Sequence, residues 1–379
     1  MSDQKKYTVV IDDNILMKDQ ISTAGSKILN NFVPPFNAAV IDKIQNAGMN
    51  ILQSIPNEFG VSLTGSFGSV AAVSDGSAEI GLSSDVSGII RNRSAENGVC
   101  FIRPTYGTVS RFGLVSTAPS LEQIGVVCKK IDDGFDALSK IAGFDERDGA
   151  IAANQSYVYD SEAADVRGLR VAVFENCASE MNSACEALKK AGATVEAVDF
   201  PLLDAVSKVT YVIMSAETSN SISRYDGIKF GYRSESFTNL EDLYVNTRSE
   251  CFTEETKILT LLGMYVLSKE QFDDVFDKSL KIRRLIKEKV NEIFTKFDCI
   301  AMPASIASGG QTDTYNAFYE AYQALQFSAL PNLAGTPAIS LPYPNGGSGG
   351  IQFTAKAFDE NTLLRIGGWF QKMTEEGLR

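Results

Sequence analysis

Short apolar runs alternate with helical patterns along most of this chain, and this alternation restricts the fold more than any other feature of the sequence. Short apolar runs bounded by turn residues are typical of buried strands, whereas apolar residues spaced three and four apart are typical of helices. We therefore predict an α/β fold with one mixed, mainly parallel sheet flanked by helices on both faces, forming a single domain over residues 1–379. The predicted strands are Tyr7–Ile11, Asn50–Gln53, Val99–Ile102, Leu169–Phe174, Thr194–Val198, Cys299–Met302, Ala338–Leu341 and Gly350–Thr354.

One strand–helix–strand unit has the form of a crossover. A strand over Leu169–Phe174 leads into a helix over Asn182–Ala191, which ends at Gly192, and a second strand follows over Thr194–Val198. Glycine is favoured directly after a helix because it adopts the left-handed backbone conformation without steric cost. The length of the unit fits a connection between two parallel strands.

Long helices dominate the region from Leu203 to Phe297. The last of them carries apolar residues on one face and lysine, arginine and glutamate on the other, so we predict a surface helix lying on the core. Its apolar face consists of Phe276, Leu280, Leu285, Ile286, Val290, Ile293, Phe294 and Phe297.

The charge and composition exclude several classes of protein. The net charge is −12 and no basic stripe of useful length is present, so direct binding of nucleic acid is not expected. The N-terminus has no apolar segment typical of a secretion signal, and no run of about 18 apolar residues occurs. We expect a soluble cytoplasmic protein without a membrane span.

The chain contains no histidine and six scattered cysteines. The absence of histidine excludes Ser-His-Asp and Cys-His catalysis and any histidine-ligated metal site. No two cysteines form a CxxC pair, so a zinc site is not expected and the cysteines are interpreted as buried thiols rather than a disulfide framework. We expect neither a metal nor a cofactor.

Glycine and serine are dense in the segment Thr64–Asp85. The segment begins with TGSFGS (Thr64–Ser69), which lacks the lysine of a phosphate-binding P-loop and the GxGxxG spacing of a dinucleotide site. The apolar residues Val70–Val73 interrupt it, so we interpret the segment as loop, helix and loop rather than as a linker.

Several longer motifs resemble the amidase signature family. The clearest are GLSSDVSGIIR (Gly81–Arg91) and IRPTYGTVSRFGLVSTAPSLEQIG (Ile102–Gly125). Further matches follow nearly the whole chain, and they are most similar to the A subunit of the tRNA-dependent amidotransferases. They include Val9–Lys18, Ser26–Ala38, Ile141–Asp148, Ser223–Arg233, Thr247–Lys257, Pro331–Pro342 and Lys356–Ile366.

The resemblance implies a Lys–Ser–Ser relay, in which a buried lysine takes a proton through a bridging serine while a second serine attacks an amide carbonyl. This chain departs from the relay at all three positions. The lysine position in VVIDDNI is Asp12, the bridging serine position in LTGSFGS is Gly65, and the nucleophile position in DVSGIIR is Ile89. The spacing between Gly65 and Ile89 agrees with that of the family's two serines, so a shifted alignment does not explain the loss.

Nearby residues offer one alternative to a lost site. A rewired site could be built from Ser87, Ser66 and Lys18. Against it, Ser87 lies two residues before the nucleophile position, where a tight turn directs its side chain elsewhere. We therefore expect no catalytic residues of the family's type.

The resemblance also suggests losses around the substrate pocket. Compared with the family, the N-terminal region before the lysine strand is short, and a covering segment is deleted near residues 60–64. The acidic residue that glutamine-using members place before the NLAG motif is missing from Ala324–Ser328. Arg283 is the candidate for a substrate carboxylate, and the alternative for it is an ion pair on the helix surface.

We therefore predict a catalytically inactive homologue of the amidotransferase A subunit that acts as a scaffold or partner subunit. Its expected partners are other amidotransferase subunits or those of a paralogous complex. Two alternatives remain open: an active amide hydrolase or amidotransferase with a rewired nucleophile, and a small-molecule binding module that uses the old substrate pocket.

Overall fold

Ten strands form one sheet in the computed structural model, which describes residues 6–151, 157–159, 165–177, 181–304, 314–343 and 349–377, without the side chains of 314–320 and 374–377. The strands are β1 Thr8–Asp12, β2 Asn50–Ser54, β3 Ile80–Asp85, β4 Cys100–Arg103, β5 Gln123–Cys128, β6 Arg170–Phe174, β7 Thr194–Val198, β8 Cys299–Pro303, β9 Ala338–Pro342 and β10 Gly350–Ala355.

The strands are ordered β2-β1-β3-β5-β4-β9-β10-β8-β6-β7 across the sheet. Pairing is parallel at the two ends, in β2-β1-β3 and in β8-β6-β7. The five junctions between β3 and β8 are antiparallel. The predicted mixed sheet is confirmed, with its parallel part restricted to the ends. In the middle, β9 and β10 are joined by residues 343–349 alone, too few for the crossover that parallel strands require.

Helices cover both faces of this sheet. They are α1 Ala39–Asn46, α2 Gly68–Asp75, α3 Ile89–Glu96, α4 Ile131–Ile141, α5 Asn182–Lys190, α6 Leu203–Ile222, α7 Leu240–Cys251, α8 Glu254–Val266, α9 Lys278–Ile293, α10 Thr314–Ser328, α11 Leu330–Ala334 and α12 Glu360–Gly377. The crossover β6-α5-β7 joins parallel strands, as predicted, and Gly192 after α5 has the expected positive φ of 93°.

The predicted strands all occur, but two observed strands were missed. Strand β3 lies at the end of the glycine- and serine-rich segment that we interpreted as loop, helix and loop, and β5 follows the SLEQIG motif. Both are fully buried central strands, and β3 pairs with β1 on one side and β5 on the other. Their serine, glycine and glutamine residues hide the apolar pattern of a strand.

Helix α9 lies on the core with part of the predicted face. Its buried residues include Ile286, Val290 and Ile293. In contrast, Leu280 and Leu285 are exposed, at 38% and 51%. Leu285 precedes Ile286 directly, so the turn of the helix carries it away from the core.

The larger part of the core runs along the sheet, and a second apolar cluster lies beneath α2 and α3. In the second cluster, Val70 and Ile89 from the helices meet Val10, Phe101 and Val127 from the sheet. All six cysteines are free and buried, so the interpretation as buried thiols is confirmed.

Candidate functional site

The three positions at which the sequence departs from the relay lie at one edge of the sheet. Asp12 is the last residue of β1, and its parallel neighbour β3 ends at Asp85, just before Ile89 begins α3. Gly65 lies in the loop that leads into α2. The carboxyl ends of neighbouring parallel strands meet at the same edge, which is why residues far apart in the chain share this region.

Asp12 is completely buried, and its carboxylate is surrounded by hydroxyl and amide donors. Its Oδ1 accepts hydrogen bonds from the Ser54 hydroxyl at 2.7 Å and the Ser69 amide at 3.1 Å, and its Oδ2 accepts one from the Ser69 hydroxyl at 3.0 Å. Burial raises the pKa of Asp12 to about 6, and the hydrogen bonds from serines oppose this rise. Within the described ranges no lysine or arginine forms an ion pair with Asp12.

Asp13 turns to the other side of the chain. Its Oδ2 accepts hydrogen bonds from the amide and the hydroxyl of Thr23, each at 2.7 Å. Burial raises the pKa of Asp13 as well, although these hydrogen bonds oppose the rise. Two neighbouring carboxyl groups are therefore buried at the end of β1.

The backbone at Gly65 leaves no room for a side chain. A Cβ added there would lie 2.5 Å from Cβ of Asn57 and 3.1 Å from its Nδ2. The surrounding loop is tied to α8, where Glu255 accepts hydrogen bonds from the Leu63 amide at 2.5 Å, from the Thr64 hydroxyl at 3.2 Å and from the Ser62 hydroxyl. The Gly65 amide in turn donates to the Ser62 hydroxyl at 3.1 Å. This loop is packed around glycine.

Ile89 is part of the apolar cluster under α2 and α3. Only 4% of its surface is exposed, and it belongs to the same cluster as Val10, Phe67 and Phe101. Gly88 before it has φ of 86°, a conformation that favours glycine, so the chain turns sharply there and the side chain that follows the turn is aliphatic.

The three candidate substitutes lie in different environments. Ser87 is completely buried, and its hydroxyl has no hydrogen-bond partner among the described residues. Ser66 is exposed in the loop before α2. Lys18 is exposed in the loop after β1, where its amide donates to Asn37 Oδ1 at 2.8 Å. No hydrogen bond or ion pair between any two of these three residues occurs in the described part of the chain.

Beneath these positions lies a buried ionic network. Asp85 Oδ2 accepts from Arg91 Nε at 2.8 Å and from an Arg103 guanidinium nitrogen at 3.1 Å, and its Oδ1 accepts from the Gly88 amide at 2.7 Å. All three charged side chains are inaccessible to solvent. Although burial would raise the pKa of Asp85, the two arginines hold it below its usual range. Burial lowers the pKa of Arg103 to about 10.

Two amide side chains complete the network, and the sequence analysis missed both. The Arg91 guanidinium donates to the side-chain oxygens of Asn332 and Gln352, and Asn332 Nδ2 donates to the carbonyl oxygen of Asp85 at 3.2 Å. The sequence drew attention to Asn332 only through its place in the NLAG motif. That match does not indicate that Asn332 contacts Arg91. The network fixes the turn over Gly88 against α11 and β10.

Arg283 is held by neutral groups rather than by a surface acid. Its Nε donates to the carbonyl oxygen of Leu333 at 3.1 Å, and its terminal nitrogens donate to the Ser120 hydroxyl at 2.7 Å and the Ser120 carbonyl oxygen at 2.6 Å. Burial lowers its pKa, and the charge of Glu217 opposes this. Arg283 therefore fastens α9 to the end of α11 and to the loop before β5.

The segment before the NLAG motif approaches the turn at Ser87. The Ser328 hydroxyl at the end of α10 donates to the Ser87 carbonyl oxygen at 3.3 Å.

No helix within the described ranges is both long and apolar enough to cross a membrane. The described residues also contain no group of three or more cysteine, aspartate or glutamate side chains arranged to hold a metal ion.

Comparison with known proteins gives consistent matches. The sequence model of the Amidase family matches residues 60–364. The chain is 38% identical to the A subunit of the glutamyl-tRNA(Gln) amidotransferase of Lachnoclostridium phytofermentans, covering 94% of this chain and 81% of the relative. It is 36% identical to the subunit of the same name from Enterococcus faecalis, covering 96% and 82%.

Solved structures agree with these sequence matches. The glutamyl-tRNA(Gln) amidotransferase A subunit of Thermotoga maritima is similar with a TM-score of 0.75 and 28% identity, over 96% of this chain and 82% of that protein. The peptide amidase of Stenotrophomonas maltophilia, at 21% identity, has a TM-score of 0.77 over 97% and 82% of the two chains, and so shares the fold.

Proposed function

The chain belongs to the amidase family, and we propose that within this family it is a catalytically inactive homologue of the amidotransferase A subunits, with the role of a scaffold or partner subunit. The observation that carries the proposal is the packing at the three relay positions. Each is occupied in a way that supports the fold and provides no group for the relay.

The nucleophile position supports this most directly. Ile89 has no atom that can attack a carbonyl, and its side chain is buried in an apolar cluster. Gly65 cannot pass a proton through a side chain, and Asn57 occupies the space that a side chain would need. A covalent mechanism requires a nucleophilic side chain in contact with a base. Neither Ile89 nor Gly65 provides a nucleophile or a base.

The lysine position supports the proposal through charge. A family lysine held near neutrality would accept a proton, whereas Asp12 is a carboxyl group bound to two serines. Its raised pKa leaves it mostly ionised at pH 7, so it adds negative charge to a buried region. That change is unsuited to the family's mechanism.

A retained scaffold role is supported by the buried network around Asp85. Buried charges are costly unless they are paired, and here two arginines, a carboxylate and two amides pair with one another and hold the turn over Gly88 in place. The relatives with the highest identity reported above are named as subunits of an amidotransferase. We propose that the partners of this chain are such subunits or those of a paralogous complex.

Catalysis is tested by assaying the purified protein for ammonia release from glutamine, asparagine and simple amides, with a catalytically active relative as positive control. We expect no release above the buffer rate. Turnover of any amide that is lost when the protein is heat-inactivated would contradict the proposal.

The partner role is tested separately by affinity purification of the tagged chain from its native host. We expect other amidotransferase subunits, or their paralogues, to co-purify in stoichiometric amounts. A variant with Asp85→Asn serves as a control for dependence on the intact fold. Recovery of the chain alone under mild conditions would contradict the scaffold role.

The rewired hydrolase remains the alternative, and one contact gives it a specific form. The hydroxyls of Ser54 and Ser69 each donate a hydrogen bond to the Asp12 carboxylate, which could act as their base. Labelling with a fluorophosphonate probe that disappears in both Asp12→Asn and Ser69→Ala variants would favour it. Absence of labelling in the unmodified protein would leave the scaffold proposal standing.

A further inference from the structure

The two edge strands of the sheet differ in their protection against pairing with another chain. Strand β2 lies at one end of the sheet and β7 at the other, and no strand in the described part of the chain pairs with their outer sides. An unpaired edge offers main-chain donors and acceptors to another strand, and proteins usually block it with charged side chains or proline. Strand β7 carries Glu196, whereas the stretch Asn50–Ile55 has no charged residue and no proline. Strand β2 is therefore the unprotected edge.

Two hydrogen bonds establish which main-chain groups of β2 face outward. The Asn50 amide donates to the carbonyl oxygen of the residue before β1 at 3.1 Å, and the Ser54 carbonyl oxygen accepts from the amide of the residue after β1 at 2.9 Å. Main-chain groups alternate in direction along a strand, so those of Asn50, Leu52 and Ser54 point toward β1. The amides and carbonyl groups of Ile51 and Gln53 therefore point away from the sheet, toward the open edge.

Large apolar side chains are exposed along the same edge. Leu52 is 41% exposed and lies beside Val10 of β1, which belongs to the apolar cluster under α2 and α3. Ile55, directly after the strand, is 64% exposed. Ile21, whose carbonyl oxygen accepts a hydrogen bond of 3.0 Å from the Gln53 side chain, is exposed as well. The edge therefore combines outward main-chain groups with an apolar surface.

We propose that the β2 edges of two copies of this chain pair antiparallel across a twofold axis and join the two sheets. With the axis at Leu52, Ile51 of each copy lies opposite Gln53 of the other. In an antiparallel ladder each such pair exchanges two main-chain hydrogen bonds, so all the outward groups of these residues are used. The pairing involves only groups that face away from β1 and is independent of the proposed loss of catalysis.

In this register Leu52 meets its own counterpart at the axis. The two leucines form a non-hydrogen-bonded pair, in which the Cα atoms lie roughly 4.5 Å apart and the side chains share one face. On the same face Asn50 lies opposite Ser54, so the flanking pairs are polar. Because Leu52 lies beside Val10, the leucine pair connects the apolar cluster under α2 and α3 of one copy with that of the other.

Charge favours β2 over β7 as the contact between two copies. The net charge of −12 makes copies of the chain repel each other, and this repulsion is weakest where a surface carries no charge. At β7 the Thr194 amide donates toward β6 at 2.8 Å, so the outward groups are those of Val195 and Ala197. The same twofold pairing there would place Glu196 opposite Glu196 of the second copy. Like charges directly opposite each other destabilise a strand pair.

Sedimentation velocity of the purified chain over about a hundredfold range of concentration tests for this dimer. We expect a monomer–dimer equilibrium that Leu52→Glu weakens by about tenfold or more, because it places like charges opposite each other at the axis. Ala197→Glu adds the same charge to the exposed face of β7 and should change the dissociation constant by less than about twofold. A monomer throughout the range, or equal weakening by both variants, would overturn the proposal.

Leu52→Lys makes the test specific for the twofold axis. Alone it should weaken the dimer as Leu52→Glu does. An equimolar mixture of the two variants should dimerise within about threefold of the unmodified chain, because a lysine then lies opposite a glutamate. A mixture that stays monomeric would show that position 52 does not meet its own counterpart, and would overturn the proposed register.

The main-chain hydrogen bonds are tested by Gln53→Pro, which removes an outward amide donor and leaves the pairing with β1 in place. Gln53→Ala is the matched control, since it also loses the side-chain bond to Ile21 but keeps the amide. We expect the dimer of Gln53→Pro to be weaker than that of Gln53→Ala by about tenfold, because each copy loses one hydrogen bond. Circular dichroism checks that both variants are folded. Equal dissociation constants for two folded variants would contradict pairing through this edge.

Discussion

The proposed relay positions and the buried ionic network meet in one turn, where Ile89 lies between Asp85 and Arg91, yet the two sets differ in character. Asp12, Gly65 and Ile89 are the positions that we propose correspond to the family's relay, and none of them is a lysine or a serine. At Asp85, Arg91 and Arg103 the charged groups remain, paired and inaccessible to solvent. The difference indicates that the two sets of residues have different roles, one in a reaction and the other in the fold. A relay residue contributes to a reaction and can be replaced by anything that packs, whereas each member of the network satisfies the buried charge of another.

The largest expected effect comes from breaking the network. Replacing Asp85 by alanine leaves two buried arginines without a carboxylate, and we expect it to lower the free energy of unfolding by about 4 kcal/mol. Urea unfolding followed by circular dichroism measures this loss. If the variant is insoluble, Asp85→Asn, which removes the charge and keeps the side-chain shape, is measured in its place. Arg167→Ala, which breaks an exposed pair with Asp165, is the control and should cause no measurable change. An equal effect of both would refute the distinction between network and surface.

Restoring the nucleophile at Ile89 should cost stability without restoring activity. Ile89→Ser removes a buried aliphatic side chain and leaves a hydroxyl in an apolar cluster, so we expect a loss of about 3 kcal/mol. Ile89→Val is the matched control, with an expected loss of about 1 kcal/mol. Unfolding in urea and ammonia release from glutamine are measured on both. A stable Ile89→Ser protein that hydrolyses amides would show that this position still functions as a catalytic site.

At Asp12 we predict that a substitution increases the free energy of unfolding, whereas the substitutions at Asp85 and Ile89 decrease it. Its pKa is about 6 in the folded chain and 3.8 as a free side chain, so the folded state holds the proton more tightly. Stability from this group is therefore fully present below a pH of about 3.8 and is lost as the pH rises through about 6. We expect Asp12→Asn, which stays neutral, to be more stable than the unmodified protein at pH 7 by up to about 3 kcal/mol.

Urea unfolding at pH 4.5 and pH 7 tests this difference, with Asp12→Asn and the unmodified protein measured side by side. The advantage of Asp12→Asn should shrink at the lower pH. Asp165→Asn is the control, since the hydrogen bond from Arg167 lowers the pKa of that exposed carboxyl instead of raising it. An advantage of Asp12→Asn that is the same at both pH values would contradict the raised pKa.

The smallest effect is expected at Gly65. Gly65→Ser places a Cβ 2.5 Å from Cβ of Asn57, so one of the two must shift, at a cost of about 1–2 kcal/mol. Adding Asn57→Gly opens that space. We expect the double variant to lose less stability than the sum of the two single variants. Strict additivity of the three measured values would show that Asn57 does not limit this position.

Much of the fold could be predicted from short patterns, and the reasons for the failures are physical. Strand β7 was predicted with its observed bounds because its neighbours are a helix cap and a turn. Strand β3 was missed because Ser83, Ser84 and Asp85 are polar residues that only pairing with β1 and β5 buries. The buried network was not predicted, for the same reason: Arg91 and Gln352 are 261 residues apart, and no local pattern relates them.

The proposed loss of the relay follows from the sequence alone, because folding cannot supply an amino group at Asp12 or a hydroxyl at Gly65 and Ile89. Only the tertiary structure decided what took the place of the relay. Asn57 closes the space at Gly65, Phe101 packs in the cluster that holds Ile89, and Ser69 binds the carboxylate of Asp12. These effects depend on distance and burial between residues far apart in the chain, and a linear sequence carries no direct record of either.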